Sequence, residues 1–346
     1  MNTFGRIFRV SLFGESHGRG IGVVIDGVRP GISLSIKDFQ EDIRRRAPGD
    51  FGTTARREED IPEILSGLHN GHTTGAPLTI LFVNRDTDSS DYTRFKDVPR
   101  PGHADFTAGL KYMDFNDLAG SGHFSGRLTL PLVAAGVVAK KMLMMQVKAT
   151  ITEIGGVKRC NLAEEALPDG SIQEKASDAE LWKDVLSAAK ADGDSLGAVV
   201  ECRVDSVPAG LGEPFFDSVE SVISHAIFSI PGVRGIEFGD GFAAARMRGS
   251  EHNDPFHPSG NGWAAPVKNG AGGINGGITN GCPIVFRVAF KPTSSIAKVQ
   301  NTYNFAEGKM TSLKIGGRHD VCFALRTPPI VEAVTAMVLA DLTLLQ

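Results

Sequence analysis

Residues 130–147 read LPLVAAGVVAKKMLMMQV, one of the two longest apolar stretches of the chain. The spacing predicts a long helix, and its small residues predict that the helix packs closely against a neighbour. A second apolar stretch, residues 328–345, predicts the final helix. Neither is typical of a membrane span, because charged residues interrupt both. The interrupting residues are Lys140, Lys141, Glu332 and Asp341.

The segments on either side of this stretch alternate between helical and strand patterns. We find no repeat of fixed period and no low-complexity linker, so the sequence predicts one compact α+β domain over residues 1–346. Helices are predicted at 34–46 and 216–229, with a loop and then an amphipathic helix over 160–195. Strands are predicted at 76–83, 199–207 and 283–290, and a short helix or turn at 62–68.

Composition limits the class of protein. The chain has 346 residues, of which 41% are hydrophobic and 22% charged, as in ordinary globular proteins. Its net charge of −4 argues against a nucleic-acid surface. The N-terminus has no apolar signal core, so we expect a cytoplasmic protein. The four cysteines, at 160, 202, 282 and 322, lack the spacing of a disulfide framework or zinc site, which predicts reduced thiols.

Arginines cluster locally despite the acidic total. Guanidinium groups suit phosphate and carboxylate, so the cluster indicates either an anion site or a solvated face, and both readings stay open. The acidic run at 58–60 just beyond it is predicted to be a solvated face. The clustered arginines are Arg44, Arg45, Arg46, Arg56 and Arg57.

Residues 13–22 read FGESHGRGIG and place Glu15, Ser16 and His17 between glycines. Glycine adopts backbone angles that other residues avoid, so this polar triplet after an apolar run predicts a tight turn at a strand end. Such a turn directs its side chains outward.

Three of the nine histidines lie in similar Gly-flanked polar contexts: GESHG, RPGHAD and GRHD. They are His17, His103 and His319, and Asp105 and Asp320 lie close to the last two in sequence. This pattern favours proton transfer near neutral pH. There is no H-E-x-x-H motif and no His/Cys constellation, so no metal site is predicted.

Glycine-rich loops at 120–126 and 270–281 permit close backbone approach to a flat or anionic ligand. Neither has the spacing of a dinucleotide-binding fingerprint, and no P-loop motif is present. The sequence therefore does not favour a nicotinamide-binding domain or P-loop kinase, whereas phosphate binding by backbone N–H groups of irregular loops stays open. Residues 291–296, KPTSSI, combine one cation with three hydroxyls, which suits a phosphate group.

Together these blocks resemble the chorismate synthase family from residue 4 to about residue 345, with a weak match only at 150–195. The resemblance rests on ten blocks in order. They are FGESHG with IDGVRPG (25–31), RRR with PG (44–49), SGLHNGHTTGAPL (66–78), RPGHAD (100–105), VAAGVVAKK (133–141), PAGLGEP (208–214), GIEFGDGF (235–242), GAGGINGGITNG (270–281), KPTSSI (291–296) and GRHD.

The resemblance implies an enzyme that converts 5-enolpyruvylshikimate 3-phosphate to chorismate and phosphate by an anti-1,4-elimination requiring reduced FMN. It also implies helices layered between antiparallel sheets, assembly as a homotetramer, and a place in the shikimate pathway to aromatic amino acids. Some members carry an NADPH-dependent flavin reductase activity as well. This sequence shows no added domain, so we expect a separate flavin reductase to supply the reduced FMN.

The resemblance further implies roles for individual residues. His17 would protonate the departing phosphate and His103 the reduced flavin, while Ser16 and Asp320 would pass on the flavin N5 proton. The implied substrate-binding residues are Arg46, Arg100, Ser125, Arg127 and Arg318. The implied FMN-binding residues are His123, Phe124, Ser125, Pro231, Gly232, Gly276, Lys291, Pro292, Thr293, Ser294, Ser295 and Arg318.

Two departures from the family pattern leave alternatives open. Residues 119–129 read AGSGHFSGRLT, with Ala119 and His123 where many members have arginine and Leu128 where they have glutamate. The loop after RRRAPG is also shorter and lacks a common arginine, for which Arg56 is the candidate substitute. The alternatives are a flavin- or phosphate-binding paralogue without lyase activity and a structural or interaction protein, although the latter leaves the placement of His and Arg unexplained.

Overall fold

A computed structural model describes residues 2–49, 51–54, 59–85, 92–159, 182–258, 264–317 and 319–346. Two five-stranded antiparallel sheets enclose a layer of helices. The strands are β1 (Thr3–Phe4), β2 (Arg9–Gly14), β3 (Gly20–Asp26), β4 (Glu63–Ser66), β5 (Leu68–His69), β6 (His72–Thr73), β7 (Leu78–Val83), β8 (Gln146–Ile154), β9 (Val157–Lys158), β10 (Ala198–Asp205), β11 (Val233–Phe238), β12 (Phe256–Pro258), β13 (Ala264–Pro266), β14 (Ile274–Asn275), β15 (Ile278–Thr279), β16 (Ile284–Phe290), β17 (Gln300–Asn304) and β18 (Lys309–Leu313).

The described residues form α-helices and short 3₁₀ segments, and one of the helices is buried along most of its length. The α-helices are α1 (Gln40–Arg46), α2 (Asp105–Tyr112), α3 (Thr129–Met142), α4 (Lys183–Ala191), α5 (Val219–Ile227), α6 (Gly249–His252) and α7 (Pro328–Leu345). Short 3₁₀ segments span Ile36–Phe39, Thr93–Lys96, Ala119–Phe124, Gly126–Leu128, Phe215–Asp217, Gly241–Arg246 and Phe323–Arg326. Every residue from Thr129 to Ala139 in α3 is buried, as expected of a helix that is apolar on all sides.

The first sheet has the strand order β1-β2-β3-β7-β4 and the second β11-β16-β10-β8-β9. Helix α3 packs on β3 and β7 of the first sheet, and α7 packs on β8 and β10 of the second. The two helices also pack on each other, so the core runs from sheet to helix pair to sheet. The predicted α+β class and the implied sheet–helix–sheet layering are confirmed.

The contact between α3 and α7 depends on Gly136. A Cβ atom added there would lie 2.2 Å from the Cβ of Ala333, far inside contact distance. The predicted close packing of the apolar stretch at 130–147 is therefore confirmed, and it is made by the helix at 328–345.

We expect Gly136→Val to destabilise the fold by about 1–3 kcal/mol, because the added groups force the two helices apart in a close-packed core. Denaturant unfolding measures the loss. Gly249→Ala is the matched control, since no atom lies within 4 Å of a Cβ at this first residue of α6. Equal stability of the Gly136 variant and the control would contradict the close contact.

The charged residues within the apolar stretches are paired inside the protein. Glu332 of α7 accepts hydrogen bonds from Arg45 (2.7 Å), Lys140 (2.9 Å) and the Ala149 backbone N–H (3.0 Å). Asp341 accepts backbone N–H groups of residues 6, 7 and 8 at 2.8, 2.7 and 2.9 Å. Helix α7 is long and apolar enough to cross a membrane, but 78% of that window is buried inside the fold, so it is a core helix.

Some predicted elements were wrong in detail. The helix predicted over 130–147 ends at Met142, and β8 begins at Gln146. Beyond the helix, Met144 is exposed and Met145 buried, a two-residue alternation that the apolar composition concealed. The turn or helix predicted at 62–68 is strand β4, which pairs with β7. In the helix predicted at 34–46, residues 36–39 form a 3₁₀ turn that leads into α1.

The other predicted elements are confirmed with shifts at their ends: β7, β10, α5, β16 and α7. Of the prediction for 160–195, residues 160–181 lie outside the described residues, and α4 supplies the expected helix. Cys202, Cys282 and Cys322 are buried free thiols, and Cys160 lies outside the described residues.

Candidate active site

Loops that connect the core helices and strands line a cavity of about 790 Å³. This volume is within the range of small-molecule sites. Arg46 ends α1, residues 120–127 precede α3, and residues 323–326 precede α7. The other lining residues fall at 16–17, 48, 54, 60, 92, 100–107, 228–234, 291–295 and 319–320.

The predicted turn after β2 is present. Gly18 donates its N–H to the carbonyl of Glu15 at 3.0 Å, and Gly14 has φ +91°, with no room for a side chain because a Cβ would lie 2.2 Å from the carbonyl oxygen of Gly20. The turn presents Ser16 and His17 to the cavity. Ser16 is only 1% exposed, yet its Oγ has no hydrogen-bond partner within the described part of the chain.

The position of His17 depends on Gly120. A Cβ at residue 120 would lie 2.2 Å from Cδ2 of the imidazole, so only glycine lets the ring lie against this backbone. The ring also meets Tyr92 edge-on, with centroids 5.5 Å apart. The glycines of the loop 120–126 therefore permit a close approach to the backbone, as predicted. The group that approaches at Gly120 is the imidazole of His17.

His103 belongs to a buried polar network. Its Nδ1 lies 2.7 Å from Oδ1 of Asp105. Burial opposes ionisation of Asp105, but hydrogen bonds from Arg100 and His103 outweigh it and hold the pKa of this carboxyl well below its usual value. An ionised carboxylate only accepts, and its contact with Nδ1 is shorter than that of the Arg100 guanidinium with the same atom (3.1 Å), so we place the ring proton on Nδ1 and leave Nε2 available for proton exchange.

The guanidinium of Arg100 is occupied by protein groups. It forms a bidentate pair with Asp105 at 2.8 and 2.7 Å. It also donates to Ser295 Oγ (3.2 Å) and Ser121 Oγ (3.0 Å) and lies 4.4 Å from the ring centroid of Phe95. Arg100 therefore lies at the wall of the cavity as a support for Asp105 and His103.

Arg46 and Arg127 are joined by one carboxylate. Asp60 accepts from Arg46 at 3.2 Å and from Arg127 at 3.0 Å, and its side chain is 4% exposed. The solvated face predicted at 58–60 is therefore wrong for Asp60, because two buried cations hold it inward. Burial, followed by the charge of Arg326, lowers the pKa of Arg46 to about 9 despite the opposing effect of Asp60.

Asp320 forms a second carboxylate–arginine pair on the cavity wall. It accepts from Arg326 at 2.6 Å and from the backbone N–H of Thr54 at 2.8 Å. The Nε atom of Arg326 is buried without a partner among the described residues. His319 directly precedes Asp320. Its Nε2 lies 3.0 Å from the carbonyl oxygen of Gly316, and burial lowers the pKa of the His319 imidazole.

The KPTSSI segment lies across the cavity, directly after β16. Lys291 donates to Ser294 Oγ (2.5 Å) and to the carbonyl of Gly102 (2.6 Å). Burial and then the charge of Arg234 lower the pKa of Lys291. Thr293 Oγ1 is buried and has no partner within the described ranges.

Most residues predicted for the site line this cavity, and the exceptions are specific. Gly276 lies in the β14–β15 turn, outside the lining, and Arg318 lies outside the described residues. His123 reaches the lining, but its ring nitrogens lie 3.2 Å from the carbonyl oxygen of Gly14 and 3.2 Å from Oδ1 of Asn2. Its predicted contact with FMN stays a prediction. Arg56 and Arg57 also lie outside the described residues, while Arg45 pairs with Glu332.

Sequence reasoning missed several residues that hold the site together. Asn84 directly follows β7, and a polar residue at a strand end is a usable signal. Asp60 was passed over because it ends an acidic run. Tyr92 and Arg326 carry no local signal and are recognised only in three dimensions.

Among the described residues, no group of three or more His, Cys, Asp or Glu side chains has the arrangement of a metal site. The titratable groups instead pair with arginines and backbone. The chemistry indicated by this part of the chain is anion binding combined with proton transfer.

Comparisons with known proteins agree on one family. The family model for chorismate synthase matches residues 8–344. A chorismate synthase of Chitinophaga pinensis is 55% identical over 100% of this chain and 97% of its own length, and one of Pyrococcus abyssi is 44% identical over 97% and 96%. A chorismate synthase crystal structure has a TM-score of 0.74 and 30% identity, covering 99% of this chain and 93% of that one. The chain belongs to the chorismate synthase family.

Proposed function

We propose that the 790 Å³ cavity is where this chain performs the family's reaction, with reduced FMN bound beside the substrate. The reaction removes phosphate from 5-enolpyruvylshikimate 3-phosphate and a hydrogen from C6 to give chorismate. No finding favours an inactive paralogue. The observation that best supports the location is the pair of buried arginines, Arg46 and Arg127, that line the cavity together and are bridged by the carboxylate of Asp60.

The substrate carries a phosphate and two carboxylates, and the cavity offers matching cations. Arg46, Arg127 and Arg326 all line the cavity, and among the described residues Asp60 and Asp320 hold them in place. Guanidinium groups bind such anions through paired hydrogen bonds. We assign substrate anions to Arg46 and Arg127, with Ser125 beside them and Arg318 as a further predicted contact.

Other residues that line the cavity suit FMN. Ser16 Oγ and Thr293 Oγ1 are buried hydroxyls without partners in the described part of the chain, and a ligand would satisfy them. Gly232 and Pro231 present a small backbone surface, and KPTSS offers hydroxyls and a cation. The FMN-binding residues proposed here are Phe124, Ser125, Pro231, Gly232, Lys291, Pro292, Thr293, Ser294 and Ser295, with His123, Gly276 and Arg318 as further predicted contacts.

When bound, reduced FMN would supply an electron transiently for cleavage of the allylic C–O bond and would recover it as hydrogen leaves C6. The protein's part is to move protons. We assign His17 to donating a proton to the departing phosphate and His103 Nε2 to protonating the reduced flavin. Ser16 and Asp320 pass on the flavin N5 proton. Arg100, whose donors are occupied by Asp105, Ser121 and Ser295, acts through His103 as a positioning residue in place of its predicted contact with substrate.

The activity is tested with purified protein under anaerobic conditions. With dithionite-reduced FMN we expect phosphate release and chorismate formation, and with oxidised FMN neither. Absence of phosphate release when bound reduced flavin is detected spectroscopically would overturn the assignment. The proposal includes assembly as a homotetramer, a cytoplasmic location and reduction of FMN by a separate flavin reductase; NADPH oxidation by the pure protein would contradict the last point.

Arg127→Ala is expected to weaken substrate binding by about 1.5–3 kcal/mol, the scale of a hydrogen bond to a charged group. Titration of the reduced-FMN complex with substrate measures the change. Arg203→Ala removes an exposed cation of β10 and is the control, since it tests net charge alone. If both variants bind substrate equally well, Arg127 does not hold an anion.

A further inference from the structure

Asn84 contacts two parts of the site that are far apart in sequence. Its Nδ2 donates to the carbonyls of Glu15 (3.0 Å) and Gly18 (2.9 Å), the two ends of the turn that carries Ser16 and His17. Its Oδ1 accepts from Nε of Arg127 at 2.7 Å. One amide therefore touches both the turn and an arginine of the anion-binding wall.

The three partners determine how this amide is oriented. A guanidinium Nε–H only donates, so the amide oxygen must face Arg127, and backbone carbonyls only accept, so the NH₂ group must face the turn. No other side chain of this length offers a neutral acceptor on one side and two donors on the other. The Asn84 amide makes all three hydrogen bonds only when the turn and Arg127 both occupy these positions.

Arg127 and the turn are also held by groups other than Asn84. Asp60 accepts from the Arg127 guanidinium at 3.0 Å, and Ser16 N–H donates to the carbonyl of Gly122, on the loop before Arg127, at 3.2 Å. Loss of Asn84 therefore leaves both attached to the protein but removes the hydrogen bonds that join the turn to the Arg127 guanidinium. This link matters because a displacement of reacting groups by about 1 Å costs on the order of 10²-fold in rate.

We propose that Asn84 is a positioning residue that fixes the acid-bearing turn at 15–18 relative to the anion-binding Arg127. Its effect on turnover passes through the turn and His17, and its effect on substrate affinity passes through Arg127. The inference rests on the roles proposed above for His17 and Arg127.

The test is a pair of double-mutant cycles in the full-length protein. Alone, Asn84→Ala should lower kcat about 10-fold or more and weaken substrate binding about 10-fold, as expected for a lost hydrogen bond to a charged group. In an Arg127→Ala background it should still lower kcat but no longer affect binding. In a His17→Ala background it should still weaken binding but no longer affect kcat.

A residue with a purely structural role would give a different pattern. The fold-changes in kcat and in substrate affinity caused by Asn84→Ala would then be the same in the wild-type, Arg127→Ala and His17→Ala backgrounds. That result, or unchanged kinetics in Asn84→Ala, overturns the proposal. Asn301→Ala, an exposed asparagine of β17, is the matched control and should change neither quantity.

Two further comparisons distinguish an incorrect role for Asn84 from misfolding of the variant and from an incorrect proposed function. If Asn84→Ala does not fold, as judged by its thermal unfolding, Asn84→Ser carries the same comparison with a smaller loss of volume. Wild-type protein that forms no chorismate with reduced FMN would refute the proposed function itself, whereas active wild type with multiplicative cycles refutes only the role of Asn84.

Discussion

Asp320→Asn should lower kcat by about 10²-fold or more, the scale of a lost general base, while substrate affinity stays the same or rises. Asparagine keeps the shape and can still accept the N–H of Thr54, so the local backbone is retained. It removes the negative charge that is paired with Arg326 and near Arg46, which leaves the cavity more positive toward an anionic substrate.

Steady-state kinetics with reduced FMN separate the two effects, because kcat reports proton transfer and a substrate titration reports affinity. Asp192→Asn removes an exposed carboxylate that pairs with Lys298 and does not line the cavity, and it serves as the control. Full turnover in the Asp320 variant would remove this residue from the proton relay.

Glu332→Gln should give the largest loss of stability, about 3–5 kcal/mol, because removal of one member of a buried ion pair leaves charges uncompensated. Glu332 is 1% exposed and faces Arg45 and Lys140. Among the described residues, Asp42 would then be the one remaining counter-charge to Arg45 and Lys140. Denaturant unfolding measures the change, and Asp205→Asn in an exposed pair should shift stability by less than about 1 kcal/mol.

The buried carboxyl of Glu332 also predicts that the stability of the fold depends on pH. Burial opposes ionisation of Glu332, but hydrogen bonds from Arg45 and the charge of Lys140 outweigh it and lower the pKa below its ordinary value of 4.5. A group whose pKa is lower in the folded state stabilises the fold above its unfolded pKa and loses that contribution as pH falls through the folded pKa. Wild-type stability should therefore fall below about pH 4.5 more steeply than that of Glu332→Gln; parallel curves would contradict this.

The fold could be predicted from the sequence only in its class and its main helices. Apolar spacing located α3 and α7, but it could not show that β8 begins four residues after Met142, since helix and strand there share the same apolar composition. The layering came from the family resemblance. Pairing across long sequence separations, such as β4 with β7, is decided by partners that no local pattern contains.

The candidate site was predictable where chemistry is concentrated in short motifs. GESHG, RPGHAD and KPTSSI each supply lining residues. What the sequence lacks is the assignment of partners: Arg100 and Arg127 look alike in one dimension, yet one is occupied by Asp105 and the other shares Asp60 with Arg46. Both side chains are buried, so their neighbours in three dimensions are what distinguish them.

The hydrogen bonds from residues 6–8 to Asp341 have a consequence for how the protein is made. These backbone groups precede their acceptor in the order of synthesis by 335, 334 and 333 positions. The segment leading into β2 therefore lacks these hydrogen bonds until α7 has been made. A nascent chain arrested before α7 should be digested by protease at this leading segment.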